Sequence, residues 1–527
     1  MAERVKPGQD GKLLGFSAMS FGSIASAFLA YFRFAQITAI FGANWRTDAL
    51  AVATVFPQMV TEVVAHSFGS AFIPIYSRVI EQRGHTEGVR FVNRVLSWLF
   101  LAGLMLMSGL WFLSGTLVHI ISPSGSPELL ELAATLLRIV LPIVILGPMN
   151  GILANFIKFE KRFRILPLSG LINISVSLGA LLVVGSDLSV RILPLSMLAG
   201  GVAELCFLLY HSWKSGFTLK PSIDADPHMG QLARMSLPVV LGTAVGFLSP
   251  IADKMLASFL PESSVTAIDY ANRIKTIALS VIFGPLLVFA DLDFSADAAR
   301  GKVASLLSTL RDSINVTSLM MYPTAILLTV LAVPVVSVFF QRGNFTGDNA
   351  VYVGYALAFY APWLAQYGIG ALISRAFYAQ KDSRTPVVIG IFGVISNVFL
   401  NLILVGPLGI GGLALATTLT STAKTVYLTW SLSRKMGGLG LRLIAVEQLK
   451  LIVSNIIGAV VCLLIIKHWA FSTEESLFIR FSQLVVYTAA GITATIASLY
   501  ISGSVTFLRV WGRVLFSVKK LFKYSDR

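Results

Sequence analysis

Apolar residues run along this chain in long blocks that do not alternate with polar ones. Ser313–Gln341 and Phe481–Leu508 contain no charged side chain, and Val387–Ala423 is broken only by Gly406-Pro407-Leu408-Gly409-Ile410-Gly411-Gly412. A helix needs about 20 residues to cross the hydrocarbon core of a bilayer, so the last of these predicts a helical hairpin. A transmembrane barrel would show apolar and polar residues at period two, and these blocks do not. Apolar runs between charged or Gly/Pro breaks predict fourteen spans, near 16–40, 48–76, 95–118, 133–156, 165–184, 190–211, 234–258, 265–290, 313–341, 350–374, 386–405, 409–433, 448–467 and 481–508. The expected fold class is an all-α polytopic membrane protein. The polar start, Met1–Lys12, precedes a span too long for a signal peptide and is expected to stay on the mature protein.

Composition agrees with the pattern: 55% of residues are hydrophobic and only 13% charged, with a mean hydropathy of +0.78, values foreign to a soluble chain of this length. Basic residues collect in every second connection, as in Arg78, Arg83, Arg90 and Arg94, or Lys158, Lys161, Arg162 and Arg164, or Arg434, Lys435 and Arg442. Those connections are expected on the cytoplasmic side, with both termini there. The net charge of +15 is then a consequence of topology, and no basic stripe outside membrane-flanking positions points to nucleic acid.

Enzymatic chemistry finds little support. Cys206 and Cys462 lie far apart in apolar spans and read as packing residues, no HExxH pairing occurs among the six histidines, and no GxxxxGK[ST] loop is present. The chain is read as a transporter rather than an enzyme, without an organic cofactor, driven by a sodium or proton gradient or by its substrate's own gradient.

Ionisable residues inside apolar spans are costly, roughly 2.5–3.5 kcal/mol each on insertion scales, and mark function by default. At 100° per residue Asp48 and His66 share one helical angle and Glu62 lies about 40° away. This polar stripe predicts a substrate path, with Asp48 on its substrate face and Glu62 and His66 as a protonatable gate. Internal duplication is visible as well. The stretch ending Phe41-Gly42 matches the one ending Phe259-Leu260 at an offset of 218, and Lys158–Pro167 matches Phe377–Pro386 at 219. Parallel halves predict a cavity between them and a rocking cycle. The expected organisation is a cytoplasmic segment 1–15, six-helix halves 16–225 and 226–440, two added helices 441–508 and a basic tail 509–527.

Ile40-Phe41-Gly42-Ala43, Thr47-Asp48-Ala49, Ala71-Phe72-Ile73-Pro74, Tyr270-Ala271-Asn272-Arg273, Phe340-Gln341-Arg342-Gly343-Asn344-Phe345 and Ala376–Pro386 occur in an order that resembles the MurJ/MviN lipid II flippases of the multidrug/oligosaccharidyl-lipid/polysaccharide exporter superfamily. The resemblance implies a flippase that carries an undecaprenyl-pyrophosphate-linked glycan across the bacterial inner membrane by alternating access; membrane lipids are its expected surroundings and a monomer its expected state, with the oligomeric state left open by the sequence. It places cavity arginines of the family at Arg33 and Arg273, which would hold the pyrophosphate. Other family arginines fall at Ala27, Thr61 and Glu62, so the cationic cluster is reduced here. It also implies a sodium site at Asp253, Asn397, Asn401 and Thr417, where the carboxamide of Asn401 replaces a family acid. A flippase for an exopolysaccharide or O-antigen precursor and a cation-coupled multidrug exporter are the alternatives.

Overall fold

The computed structural model describes residues 9–162, 165–184, 189–224, 226–299, 303–380, 382 and 384–512, excepting the side chains of 9–24, 66, 70, 284–299 and 303–306. Among the described residues every regular element is a helix, and ten stretches are long and apolar enough to cross a bilayer. The all-helical membrane class therefore holds. One of the ten stretches, Trp45–Phe112, doubles back within itself. Gly84 has a left-handed φ of 82°, open to glycine at little cost, and the rings of Phe72 and Phe91 stack 6.2 Å apart. On a straight helix those residues would lie about 28 Å apart. The predicted connection between the second and third spans is thus itself helical, apart from this one reversal.

Two compact units part at Thr266. The first contains α1 (Gln9–Phe41), α2 (Trp45–Ala53), α3 (Val55–Phe112), α4 (Ser114–Ile121), α5 (Pro127–Val140), α6 (Ile143–Phe159), α7 (Ile165–Val184), α8 (Ile192–Trp213), α9 (Pro227–Ala257) and the first residues of α10 (Ser264–Ala299). Its core is aromatic, with Phe72, Tyr76, Phe91 and Phe156 fully buried. The second unit holds the rest of α10, then α11 (Val303–Val330), α12 (Ala332–Phe340), α13 (Gly347–Tyr360), α14 (Trp363–Ala379), α15 (Arg384–Leu408), α16 (Ile410–Lys435), α17 (Leu441–His468) and α18 (Leu477–Ile501).

Helix bounds recur along the chain. Residues 85–112 answer to 303–330 and Ser114 to Ala332 at an offset of 218, and Ile143–Phe159 answers to Trp363–Ala379 at 220. Proline sets matching breaks within both repeats. Pro142 and Pro362 interrupt apolar blocks of 33 residues each, Pro127–Phe159 and Gly347–Ala379, because proline has no N–H to give the carbonyl four residues earlier and its ring crowds that carbonyl.

Small residues let helices approach. A Cβ on Gly458 would lie 2.2 Å from Thr495 Oγ1, and one on Gly491 2.4 Å from Cys462 Sγ, so α17 and α18 meet backbone to backbone. Cys462 is buried, its Sγ donating to Tyr487 O at 3.0 Å, which is the packing role expected of it; Cys206 is exposed. The α15–α16 hairpin turns at Gly409 (φ 55°), and a Cβ on Gly412 would stand 2.1 Å from Leu404 O. Gly412→Ala should lower stability by about 1–3 kcal/mol or more through this overpacking against backbone, readable as a lower unfolding temperature in detergent.

At the end where the basic connections emerge, residues 218–220 and Asp226 are tied to α3. Asn93 Nδ2 donates to Thr218 O (2.9 Å), Lys220 N donates to Asn93 Oδ1 (2.9 Å) and Arg94 pairs with Asp226 at 2.8 Å. Asp226 also caps α9 by accepting from His228 N at 2.9 Å. Burial pushes its carboxyl up, yet the His228 hydrogen bonds and the Arg94 guanidinium outweigh this and hold it below the ordinary value of 3.8. A carboxyl depressed by folding stabilises above its unfolded value and loses that contribution as pH falls through the folded one. Asp226→Asn should therefore unfold at a lower temperature at neutral pH, with the gap to wild type closing below about pH 4. A thermal series across pH checks this.

Candidate functional site

Asp48 does not sit on a continuous polar face. The helix is interrupted at Thr54, three residues before Pro57, whose missing N–H leaves the Ala53 carbonyl without its helical partner. On the α2 side of that break Asp48 is 4% exposed. Its two oxygens accept from Ser263 N (2.8 Å) and Thr266 N (2.6 Å). Nearby, Thr266 Oγ1 donates to Thr47 Oγ1 at 3.1 Å and Trp45 N to Glu262 Oε1 at 3.0 Å. Asp48 was expected on the substrate face; in this structure its carboxylate holds orphan N–H groups at the start of α10, where a helix dipole favours negative charge.

Beyond the break, Glu62 lines a cavity of about 110 Å³ with Thr54, Pro57, Gln58, Thr61, Val140, Ile143 and Met197. The cavity sits where the α5–α6 break meets α3 and α8. Thr61, a family arginine position, is packed against α6 at Gly147, where an added Cβ would come 2.3 Å from Thr61 Cγ2. Glu62 keeps an exposed side chain; the His66 side chain, its expected partner, lies outside the described residues.

Arg33 is half-buried on α1, about two turns from the helix end at Phe41. Arg273 lies on α10 and its Nε donates to Asp269 Oδ2 at 2.7 Å, four residues earlier, with the side chain still 43% exposed. That pairing was foreseeable from the i,i+4 spacing. It aims the guanidinium rather than hiding it.

The residues expected to bind sodium are divided. Asp253 is buried on α9 of the first unit. In the second, Asn401 Nδ2 donates to Asn397 Oδ1 (3.3 Å) and Asn397 Nδ2 to Thr417 Oγ1 (3.2 Å), which brings three of the four side chains together. Among the described residues no group of three or more His, Cys, Asp or Glu side chains is arranged as a metal site. The three side chains of the second unit offer neutral oxygens, which suit a hard cation better than a transition metal.

Three intramembrane groups escaped the sequence reading. Lys254 is 8% exposed and donates from Nζ to Ala51 O at 2.9 Å, next to the break at Thr54. Lys275, two residues past Arg273 and 3% exposed, lies over the rings of Tyr360 (4.3 Å) and Trp363 (3.9 Å), a cation–π seat. Glu204 Oε2 accepts from Asn173 (2.8 Å) and Asn150 (3.2 Å), joining α6, α7 and α8. The general signal, an ionisable residue inside an apolar span, was available for each.

A duplicated all-helical membrane bundle with polar and cationic residues inside its spans is the architecture of a membrane transporter. The chain belongs to the lipid II flippase MurJ family, whose model matches residues 37–482. Among curated relatives it is 24% identical over 428 residues to the probable lipid II flippase MurJ of Buchnera aphidicola, covering 79% of this chain and 83% of that one. It is 27% identical to the lipid II flippase MurJ of Burkholderia cenocepacia (82% and 85% covered) and 23% identical to the Rickettsia prowazekii relative (93% and 96%). Among solved structures, a lipid II flippase MurJ in an inward closed conformation superposes with a TM-score of 0.77 at 20% identity, over 94% of this chain and 99% of that one. An inward-facing multidrug resistance MATE family transporter gives 0.68 at 15% identity over 80% and 98%. The fold is thus shared with both. The fifth of this chain that the transporter leaves uncovered is mostly covered by the flippase.

Proposed function

We propose that this protein moves lipid II, an undecaprenyl-pyrophosphate-linked peptidoglycan precursor, from the inner to the outer leaflet of the bacterial cytoplasmic membrane by alternating access. The observation that carries the reading is membership of the family over residues 37–482. Arg33 and Arg273 supply cations to the pyrophosphate, since guanidinium forks match phosphate oxygens. Glu62, with His66, sets the charge of the path as a protonatable gate. Both termini face the cytoplasm, following the basic connections. The monomer is the working unit. Rescue of a bacterium depleted of its own lipid II flippase tests the reading. Growth and normal cell shape on expression of this chain are the expected result, and lysis despite normal membrane insertion would overturn it.

Coupling is proposed to use sodium at Asp253, Asn397, Asn401 and Thr417. An ion shifts a conformational equilibrium only through its different affinities for the two states, so lipid II translocation in proteoliposomes should slow when choline replaces sodium at fixed membrane potential. An unchanged rate removes the sodium site.

A further inference from the structure

The α15–α16 hairpin carries a groove of about 410 Å³ whose apolar lining includes Val388, Ile389, Phe392, Leu400, Leu419 and Tyr427, and whose one charged lining residue is Lys424. No acidic side chain lines it. The Lys424 stem lies against Gly393, whose added Cβ would stand 3.7 Å from Lys424 Cδ, so the side chain packs within the groove wall. Among the described residues no ion pair or hydrogen bond joins Lys424 to a protein partner. A lysine surrounded by apolar side chains in a membrane helix is costly unless an anion meets it.

Depth narrows the anion. Lys424 stands about 22 Å along the α16 axis from the Gly409 turn, which in a hydrocarbon core of about 30 Å leaves it some 8 Å inside the opposite edge. Tyr427 and Trp430 follow it toward that edge, and Arg434 lies over the Trp430 ring at 4.3 Å, the arrangement of an interfacial aromatic and basic belt. Lys424 is therefore just below headgroup level at the face where the basic connections emerge. From there the apolar lining runs inward to Leu400 and Leu419. Outside it, α15 exposes Ile395 and Phe399, each at 60% or more.

We propose that this groove binds an anionic phospholipid of the surrounding bilayer, with the phosphodiester on Lys424 and one acyl chain along α15 and α16. The lysine stem extends from within the hydrocarbon toward the interface, where its ammonium meets a leaflet phosphate, and the chain covers apolar surface. A zwitterionic lipid brings its own cation to the same place and is held less well. The proposal requires only that the protein sits in a membrane and is independent of the transported substrate.

The test is native mass spectrometry of the purified full-length chain, exchanged from detergent with dioleoyl phosphatidylglycerol or dioleoyl phosphatidylcholine and challenged with a polyprenyl phosphate. Wild type and Lys424→Arg are expected to retain a phosphatidylglycerol molecule in preference to phosphatidylcholine. Lys424→Gln should reduce that retention roughly tenfold, the size of one lost charge-assisted hydrogen bond. Gly393→Leu, which keeps the charge and fills the groove, should reduce it as well and provides a second reading should Lys424→Gln not fold. Equal retention of both lipids by wild type, or preference undiminished in Lys424→Gln or Gly393→Leu, would overturn the proposal. So would displacement of phosphatidylglycerol by the polyprenyl phosphate at lower concentration than by phosphatidylglycerol itself, which would assign the groove to substrate.

Discussion

Arg273→Ala and Arg33→Ala should each slow lipid II translocation in proteoliposomes by roughly ten- to hundredfold at unchanged protein level. Each removes charge-assisted hydrogen bonds to a pyrophosphate, worth about 1.5–3 kcal/mol apiece. Arg273→Lys should recover only part of the rate. Lysine keeps the charge but has no Nε to take the place of the one that now donates to Asp269, so the fork that this bond orients is lost. Asp269→Asn separates aiming from charge: if Asp269 orients Arg273, the rate falls while the cation remains. Wild-type rates in both alanine variants would remove these arginines from the substrate path.

How much of this was legible beforehand depends on the range of the interaction. Local patterns read well. The hairpin at Gly406–Gly412, the i,i+4 pairing of Arg273 with Asp269 and the packing role of Cys462 all follow from spacing within one or two helices. The helical connection around Gly84 did not, because a cluster of arginines marks an aqueous loop and a solvated helix end alike. Long-range partners were invisible. Angular position gave Asp48 a face to point from but not what lay opposite, and its partners are more than 200 residues away. The seat of Lys275 on Tyr360 and Trp363 depends on the break at Pro362 bringing α13 and α14 to α10, a tertiary fact. Thr61 is a further case: its close contact with Gly147 on α6 is a tertiary fact that sequence position did not show.

The largest stability loss is expected at Asp48. Asp48→Ala strips acceptors from two N–H groups, Ser263 and Thr266, at a site where the carboxylate is 4% exposed and water does not replace it. An unsatisfied buried donor costs about 1–3 kcal/mol, and the helix start also loses its favourable charge. Together these predict a loss of roughly 3–5 kcal/mol, large against the margin of a folded protein. Asp48→Asn should cost about half as much, because one amide oxygen still accepts while the amide nitrogen faces the second N–H as another donor. Asp48→Glu should not restore the loss, since an added methylene displaces both oxygens from N–H groups now 2.6 and 2.8 Å away. The check is the unfolding temperature of the three purified variants, followed by translocation by those that fold. A structural tie predicts that stability and rate fall together in the order Asn, then Ala. If Asp48→Asn kept wild-type stability and lost only transport, the carboxylate would be restored to the substrate path.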